Sequence, residues 1–314
     1  MHKSYNHTVS FIRLLSMLMI ISCHIFQYYD HVLAYVLNVG VQVFLVMSGY
    51  LYGTKEIDSV KSFYIKQFKK ILVPYYVFLI FAICLYYFSA PQYLDYKKVV
   101  LSFLTVGNLD GLGHLWFIKY ILLCYLLVPI LVRIRDRINT LELKYFAYVC
   151  VLTMIVVEFI LLPMPLLGGM SVNCFVFGFF FSNFDRCGGR RTLFPKVFVV
   201  CAVCINIFRV ILISNNYKII GFLGGYCHFM FGAALFIFLL SCLDVKKTNS
   251  LLSFSDKYSY HIYLVHTLCI YSLIGITSFE IINIPLIYIC SGLSGVLLYK
   301  VTNLKLLDKL TVFR

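Results

Sequence analysis

The sequence predicts an all-α membrane protein with about ten transmembrane helices, forming a single integral-membrane domain over residues 1–314. Hydrophobic residues make up 61% of the chain and charged residues only 13%, which is far from the balance of soluble domains. The apolar residues come in long runs of the length that an α-helix needs to cross a bilayer. This composition excludes a soluble globular enzyme and a disordered chain, and the runs are unlike the alternating pattern of an outer-membrane barrel.

Ten apolar segments follow one another along the chain and are joined by short links. They cover residues 10–29, 34–52, 71–89, 114–132, 146–162, 166–183, 195–214, 220–243, 258–278 and 281–302. The first run ends in QYYDH without a small-residue cleavage site, so we expect a retained helix rather than a signal peptide. The two longest links, 53–70 and 90–113, leave no room for a separate soluble domain.

The net charge of +14 is placed in a way that predicts the orientation. If the N-terminus is cytoplasmic, every second link is rich in Lys and Arg, and the links between them carry few basic residues. This is the positive-inside pattern, and it predicts an even number of spans with both termini in the cytoplasm. It also explains the basic charge without nucleic acid, because cytoplasmic Lys and Arg contact anionic lipid.

Ionisable groups inside a bilayer cost about 2.5–3.5 kcal/mol each on insertion scales, so the few polar residues within the spans are the first candidates for function. They are Arg13, His24, Ser48, Lys119, Glu158, Asn173, Arg209, His228 and His266. Three fixed cations face a single carboxylate, and a cavity lined in this way attracts an anion.

Arg13 and His24 share one face of the first span. Eleven residues separate them, which places their side chains about 20° apart around the helix and about 16 Å apart along it. A guanidinium near the cytoplasmic rim suits a phosphate. An imidazole near the middle of the bilayer suits general-base catalysis on a hydroxyl, because it titrates near neutral pH. The alternative is a topology charge and a hydrogen-bonded core histidine.

The second span contains Ser48 followed by Gly49 in the segment GVQVFLVMSGYLYG. A glycine here permits either a close backbone approach or a break in the helix that lines a cavity. Ser and Gly also serve ordinary packing between transmembrane helices.

Three lysines precede the third span, and two aromatic side chains open the fourth. Lys66, Lys69 and Lys70 lie at helical spacing on one face, which is either a docking site for a polyanionic nucleotide or a contact for lipid headgroups. His114 and Trp116 lie near the outer interface, where a Trp also serves as a belt anchor. No pair of His or Cys has a convincing ligand spacing, so we predict no metal site.

Five elements in the right order resemble the membrane acyltransferase-3 family, whose bacterial members O-acylate cell-surface polysaccharides. They are the Arg13 and His24 pair, FLVMSGYLYG at 44–53, FYIKQFKKILVPYY at 63–76, GHLWFIKYILLCYLLVP at 113–129 and YSYHIYLVH at 258–266. The resemblance covers the first 130 residues and the ninth span. Between these regions only the hydropathy agrees.

The resemblance implies a catalytic role for His24, with Arg13 as its partner toward the acyl donor. Ser48 and Gly49 match the S-G-[FY]-L stretch of the family, and Lys66 and Lys69 match its cytoplasmic R-x-x-R element. Lysine keeps the charge but loses the bidentate fork with which arginine binds phosphate. We also assign substrate contacts to a further set of residues, namely Lys70, His114, Trp116 and Arg209.

The function that the resemblance implies is transfer of an acyl group, most simply acetyl, from cytoplasmic acetyl-CoA or another acyl-CoA. The acceptor is a hydroxyl of a cell-surface or lipid-linked glycan. The resemblance also implies a plasma-membrane enzyme that works beside polysaccharide-assembly proteins. A glycan exporter is the main alternative, although no second Gly-broken span accompanies the first, as paired repeats in transporters would predict. A non-catalytic partner in polysaccharide assembly is the third hypothesis.

Overall fold

The computed structural model describes residues 7–138, 143–161, 169–189, 192–214, 221–247 and 249–304. Within these ranges the regular structure is helical, with no β-strand. The prediction of an all-α protein is therefore confirmed.

Helices occupy each of the ten predicted segments. They are α1 (His7–Tyr28), α2 (Leu33–Leu37), α3 (Gly40–Gly53), α4 (Val60–Ser89), α5 (Tyr96–Phe103), α6 (Trp116–Ile138), α7 (Leu143–Leu161), α8 (Gly169–Arg186), α9 (Leu193–Ser214), α10 (Gly221–Cys242), α11 (Ser250–Leu273) and α12 (Glu280–Thr302). The predicted second segment holds both α2 and α3, and α5 lies in the link between α4 and α6.

Seven spans are long and apolar enough to cross a membrane among the residues that the structure describes. They are α1, α2 together with α3, α4, α6, α9, α10 and α12. The three other predicted segments correspond to α7, α8 and α11. Much of α8 and of the second half of α11 is buried within the protein. Buried helices can carry polar side chains that would be too costly on a helix facing lipid.

The chain divides into two compact units. The first comprises residues 1–60 and 123–253, and the second comprises residues 61–122 and 254–314. The chain passes from one unit to the other at three places, which lie in the first turn of α4, within α6 and at the end of the first turn of α11.

The first unit is packed around α3, which lies most extensively against α8. A side chain at Gly49 would overlap the Phe175 carbonyl group of α8, and one at Gly178 would overlap the Val46 carbonyl group of α3. Each helix therefore uses a glycine to bring its backbone against the other. The helix continues through Gly49, so of the two readings of this glycine, close approach is the correct one. The interruption in the segment lies earlier, between α2 and α3.

The second unit is tied together by tyrosine hydroxyl groups that donate to main-chain carbonyl groups. Tyr75 of α4 donates to the Ser102 oxygen at 2.6 Å, and Tyr86 donates to the Asp110 oxygen at 3.1 Å. Tyr260 of α11 donates to the Ile71 oxygen of α4 at 2.8 Å. These bonds fix the link between α4 and α6 and position α11 beside α4.

Candidate active site

Arg13 and His24 both lie on α1, which runs without interruption from His7 to Tyr28. Both side chains are half-buried, between fully buried neighbours such as Ile12 and Cys23. The helical register that the sequence predicts therefore holds. Each polar side chain lies at the margin of the packed face of α1.

The ring of His24 is held by a neighbour one turn later. Its Nδ1 lies 2.8 Å from the Gln27 side-chain oxygen. That oxygen only accepts hydrogen bonds, so Nδ1 is the donor, and in the neutral ring Nε2 then carries the lone pair. A histidine held in this tautomer is oriented for proton transfer at Nε2. Sequence reasoning missed Gln27, although its i+3 spacing on a helix was a usable signal.

Arg13 interacts with a hydroxyl cluster on α3 and α6. The Tyr125 hydroxyl hydrogen-bonds the side chains of Ser48 and Tyr52, and it interacts with the charge of Arg13. The rings of Tyr52 and Tyr125 lie 5.2 Å apart between centroids. Ser48, Tyr52 and Tyr125 are each at most 8% exposed. The structure thus brings two predicted residues, Arg13 and Ser48, to one polar cluster inside an apolar core.

The two tyrosines of this cluster were not among the sequence candidates. Both occur within the quoted motifs, in SGYLYG and in KYILLCYLLVP. A buried tyrosine hydroxyl requires a hydrogen-bond partner, so a tyrosine in the middle of a span was a signal of the same kind as an intramembrane serine.

Lys66, Lys69 and Lys70 lie on the first half of α4, and all three are exposed. Their helical spacing is as predicted, because α4 begins at Val60, well before the apolar segment. Lys70 also lies within electrostatic range of His261 on α11. The second unit therefore presents a cationic face on one end of α4.

His114 is buried in the second unit, where it contacts α11. Its Nε2 lies 3.1 Å from the Leu264 carbonyl oxygen, and its Nδ1 lies 3.0 Å from the Thr267 hydroxyl. The Tyr263 hydroxyl donates to the His114 carbonyl oxygen, and the His266 ring packs edge-on at 4.8 Å. The YSYHIYLVH motif therefore supplies the environment of His114. Nearby, the half-buried Trp116 packs edge-on against Tyr120 at 5.3 Å.

Arg209 lies near the C-terminal end of α9 and is 2% exposed. Its Nη2 donates to the Tyr35 carbonyl oxygen of α2 at 3.1 Å. Glu158, the one carboxylate among the polar residues of the predicted spans, accepts from Asn173 at 3.1 Å. Within the described ranges, no carboxylate forms an ion pair with Arg209.

The candidate residues divide between the units. Arg13, His24, Ser48, Gly49 and Arg209 belong to the first unit, whereas the three lysines, His114 and Trp116 belong to the second. In the described part of the chain, no group of three His, Cys, Asp or Glu side chains is placed to hold a metal ion.

Comparison with known families gives one match, to the model of the acyltransferase-3 family, described as an acyltransferase domain, over residues 6–299. The chain belongs to the acyltransferase-3 family. It is therefore a membrane acyltransferase. The match includes both units and the middle helices, where the sequence motifs alone give only hydropathy. No curated protein and no solved structure matches the chain.

Proposed function

We propose that this acyltransferase-3 protein transfers an acetyl group from cytoplasmic acetyl-CoA to a hydroxyl of a cell-surface or lipid-linked glycan. The observation that supports this most directly is the arrangement on α1. One histidine is held by Gln27 with its basic nitrogen oriented, and one arginine lies on the same helix face beside a hydroxyl cluster. Family membership supplies the acyl-transfer chemistry.

The donor side of the proposal uses the cationic groups. The charge pattern of the sequence puts the start of α4 and Arg13 toward the cytoplasm. The exposed Lys66, Lys69 and Lys70 bind the phosphates of the CoA moiety. Because ammonium groups act as point charges rather than forks, donor affinity here depends on charge more than on geometry.

The chemical step requires one base and one group that positions the thioester. His24 Nε2 removes the proton of the acceptor hydroxyl, whose oxygen attacks the thioester carbonyl carbon. The C–S bond breaks as the new C–O ester bond forms, and the proton passes from His24 to the departing CoA thiolate. Arg13 and the Ser48–Tyr125 pair hold the donor arm with hydrogen-bond donors in an apolar setting, where such bonds are strong.

The acceptor binds at the end of the first unit that lies opposite the cytoplasmic end. We assign both termini to the cytoplasm, the protein to the plasma membrane, and the acceptor to a glycan that arrives from outside or is lipid-linked. His114 and Trp116 remain candidate substrate contacts in this scheme. Proteins that assemble or export polysaccharide are the expected partners, because they supply the acceptor.

Acyl transfer by purified variants tests the proposal. We expect His24→Ala to reduce transfer from radiolabelled acetyl-CoA at least about 100-fold, because general-base catalysis contributes about that much or more. Arg13→Ala should raise the KM for the donor. His31→Asn is the control, since His31 is exposed on the link after α1 and an Asn side-chain oxygen keeps the acceptor for Leu33 N. This variant should leave turnover unchanged.

Two outcomes would overturn the proposal. One is wild-type turnover in both His24→Ala and Arg13→Ala proteins that remain folded. The other is a gene deletion that removes the surface polysaccharide altogether, instead of lowering its mass by acyl-sized units. The second result favours the export hypothesis.

A further inference from the structure

Two buried arginines of the first unit have opposite environments. Arg135, 6% exposed, donates from Nη1 to the Gly53 and Lys55 carbonyl oxygens at 3.0 and 2.8 Å, and its Nε lies 2.9 Å from Asp136. Arg209 is 2% exposed, and among the residues described its Nε and Nη1 have no hydrogen-bond partner. A buried guanidinium with unmet donors and no counter-ion is strongly destabilising. This indicates that a ligand accepts hydrogen bonds from the unmet N–H groups and balances the charge.

Other unmet polar atoms occur on the helices that surround Arg209. Asn206 lies one turn earlier on α9 and has a buried, unpartnered Oδ1, and His228 on α10 has a buried, unpartnered Nε2. His228 lies within electrostatic range of Arg209. One turn beyond His228, Gly232 packs against Gln42 of α3, whose Oε1 is also unpartnered within the described residues. The helices α9 and α10, which carry Asn206, Arg209 and His228, pack against each other. Buried polar atoms without a partner are rare in a protein interior.

The short helix α2 connects this cluster to His24. Arg209 donates to the carbonyl group of Tyr35. The preceding residue, Ala34, accepts a hydrogen bond from the Cys23 thiol at 3.4 Å, and Cys23 precedes His24 on α1. Cys23, the residue before His24, and Arg209 therefore both hydrogen-bond to the same five-residue helix. His24 and Arg209 lie in the second halves of α1 and α9, which run toward the side that the charge pattern places outside.

We propose that Arg209 and His228 form a binding site for an oxyanion carried by the acceptor, a carboxylate of an acidic sugar or a phosphate of a glycan phosphate. This deepens the proposed function and rests on it. The oxyanion binds the unmet guanidinium donors and the His228 ring, and Asn206 and Gln42 accept from the sugar hydroxyls. Bound there, the acceptor presents a neighbouring hydroxyl to His24. The site makes the enzyme selective for acidic acceptors over neutral ones.

Binding by the purified full-length protein tests the site without any turnover. The probes are glucuronate, glucose 1-phosphate and neutral glucose, each titrated while the thermal unfolding midpoint is followed. We expect a saturable rise with at least one charged sugar and none with glucose. The charged sugar that stabilises the protein identifies the source of the oxyanion.

Three variants separate a ligand site from a structural role. Arg209→Gln should weaken binding of the charged sugar about ten-fold or more, because a charge-assisted hydrogen bond contributes at least that factor. It should leave the ligand-free midpoint unchanged or raised, since it removes an unmatched buried charge. Arg135→Gln should lower the ligand-free midpoint and leave the sugar-induced rise intact. His24→Ala should keep the rise, so a failure of the catalytic assignment is distinguishable from a failure of this one.

The inference is overturned if neither charged sugar stabilises the wild-type protein more than glucose does, or if Arg209→Gln retains the full rise. A marked fall in the ligand-free midpoint of Arg209→Gln also counts against it, because that result assigns Arg209 to the fold. His228→Gln gives an independent comparison and should likewise weaken binding of the charged sugar.

Discussion

The two units of this protein share close helix packing at glycine but differ in their use of tyrosine hydroxyl groups. In the first unit, glycines such as Gly49 and Gly178 let α3 and α8 approach backbone to backbone. In the second unit, Gly295 of α12 likewise lies against the Ile262 backbone of α11, and tyrosine hydroxyl groups also donate to carbonyl groups of neighbouring segments. Both devices are known to hold transmembrane helices together. The units also differ in their polar groups. In the first unit His24 is half-buried and Arg209 has donors without a partner among the described residues, while the histidine pair of the second unit is buried and hydrogen-bonded.

The largest effect is expected from a side chain placed in the glycine contact. Gly49→Val would drive two methyl groups into the Phe175 carbonyl group, and we expect a loss of about 3 kcal/mol or more of folding free energy. The yield of folded protein and its thermal midpoint measure this. Gly292→Ala on α12 is the control, because its added carbon would meet only Phe254 at 3.9 Å. Equal stability of both variants would contradict the close approach of α3 and α8.

The histidines of the two units should respond differently to truncation. His114→Ala removes a ring that bonds Leu264 and Thr267, so we expect a loss of about 2–3 kcal/mol of stability. His24→Ala should lose activity and keep its thermal midpoint. His114→Gln retains hydrogen-bonding capacity, so a raised KM for acceptor or donor in that variant, with unchanged stability, would favour the predicted substrate contact at His114.

Gln27 should act through the orientation of His24. Gln27→Leu removes the 2.8 Å hydrogen bond to Nδ1, and we expect kcat to fall about ten-fold, the equivalent of one hydrogen bond of about 1.4 kcal/mol. The donor KM should stay constant because Gln27 bonds the His24 ring and is not among the groups assigned to the donor. Gln92→Leu, at an exposed position in the link after α4, is the control. A change in KM alone would show that Gln27 binds substrate rather than positioning the base.

The smallest effect is expected at a single tyrosine bond of the second unit. Tyr260→Phe removes one hydroxyl that donates to the Ile71 carbonyl oxygen, which should cost about 1 kcal/mol of stability. Tyr87→Phe, at a position 67% exposed, should cost nothing measurable. If the two variants are equally stable, the tyrosine bonds do not hold the second unit, and apolar packing alone must do so.

The sequence predicts the helices well because their signals are local. Apolar runs, helical spacing and the distribution of Lys and Arg can each be read within about twenty residues, and the ten segments all prove helical. The shared face of Arg13 and His24 follows from the geometry of a single helix. The sequence alone therefore determines the α-helical class, the membrane setting and the shared helix face of Arg13 and His24.

Only the tertiary structure decided which partners these residues have. Tyr125 reaches Ser48 and Arg13 from a distant helix, and Arg209 finds the Tyr35 carbonyl group 174 residues away in the chain. The same holds for Gly49, whose role depends on the Phe175 backbone opposite it. Contacts of this kind carry no periodic signal, because they depend on how helices pack rather than on what each helix contains. The donors of Arg209 that lack a partner among the described residues can therefore be recognised only from the packed helices around it.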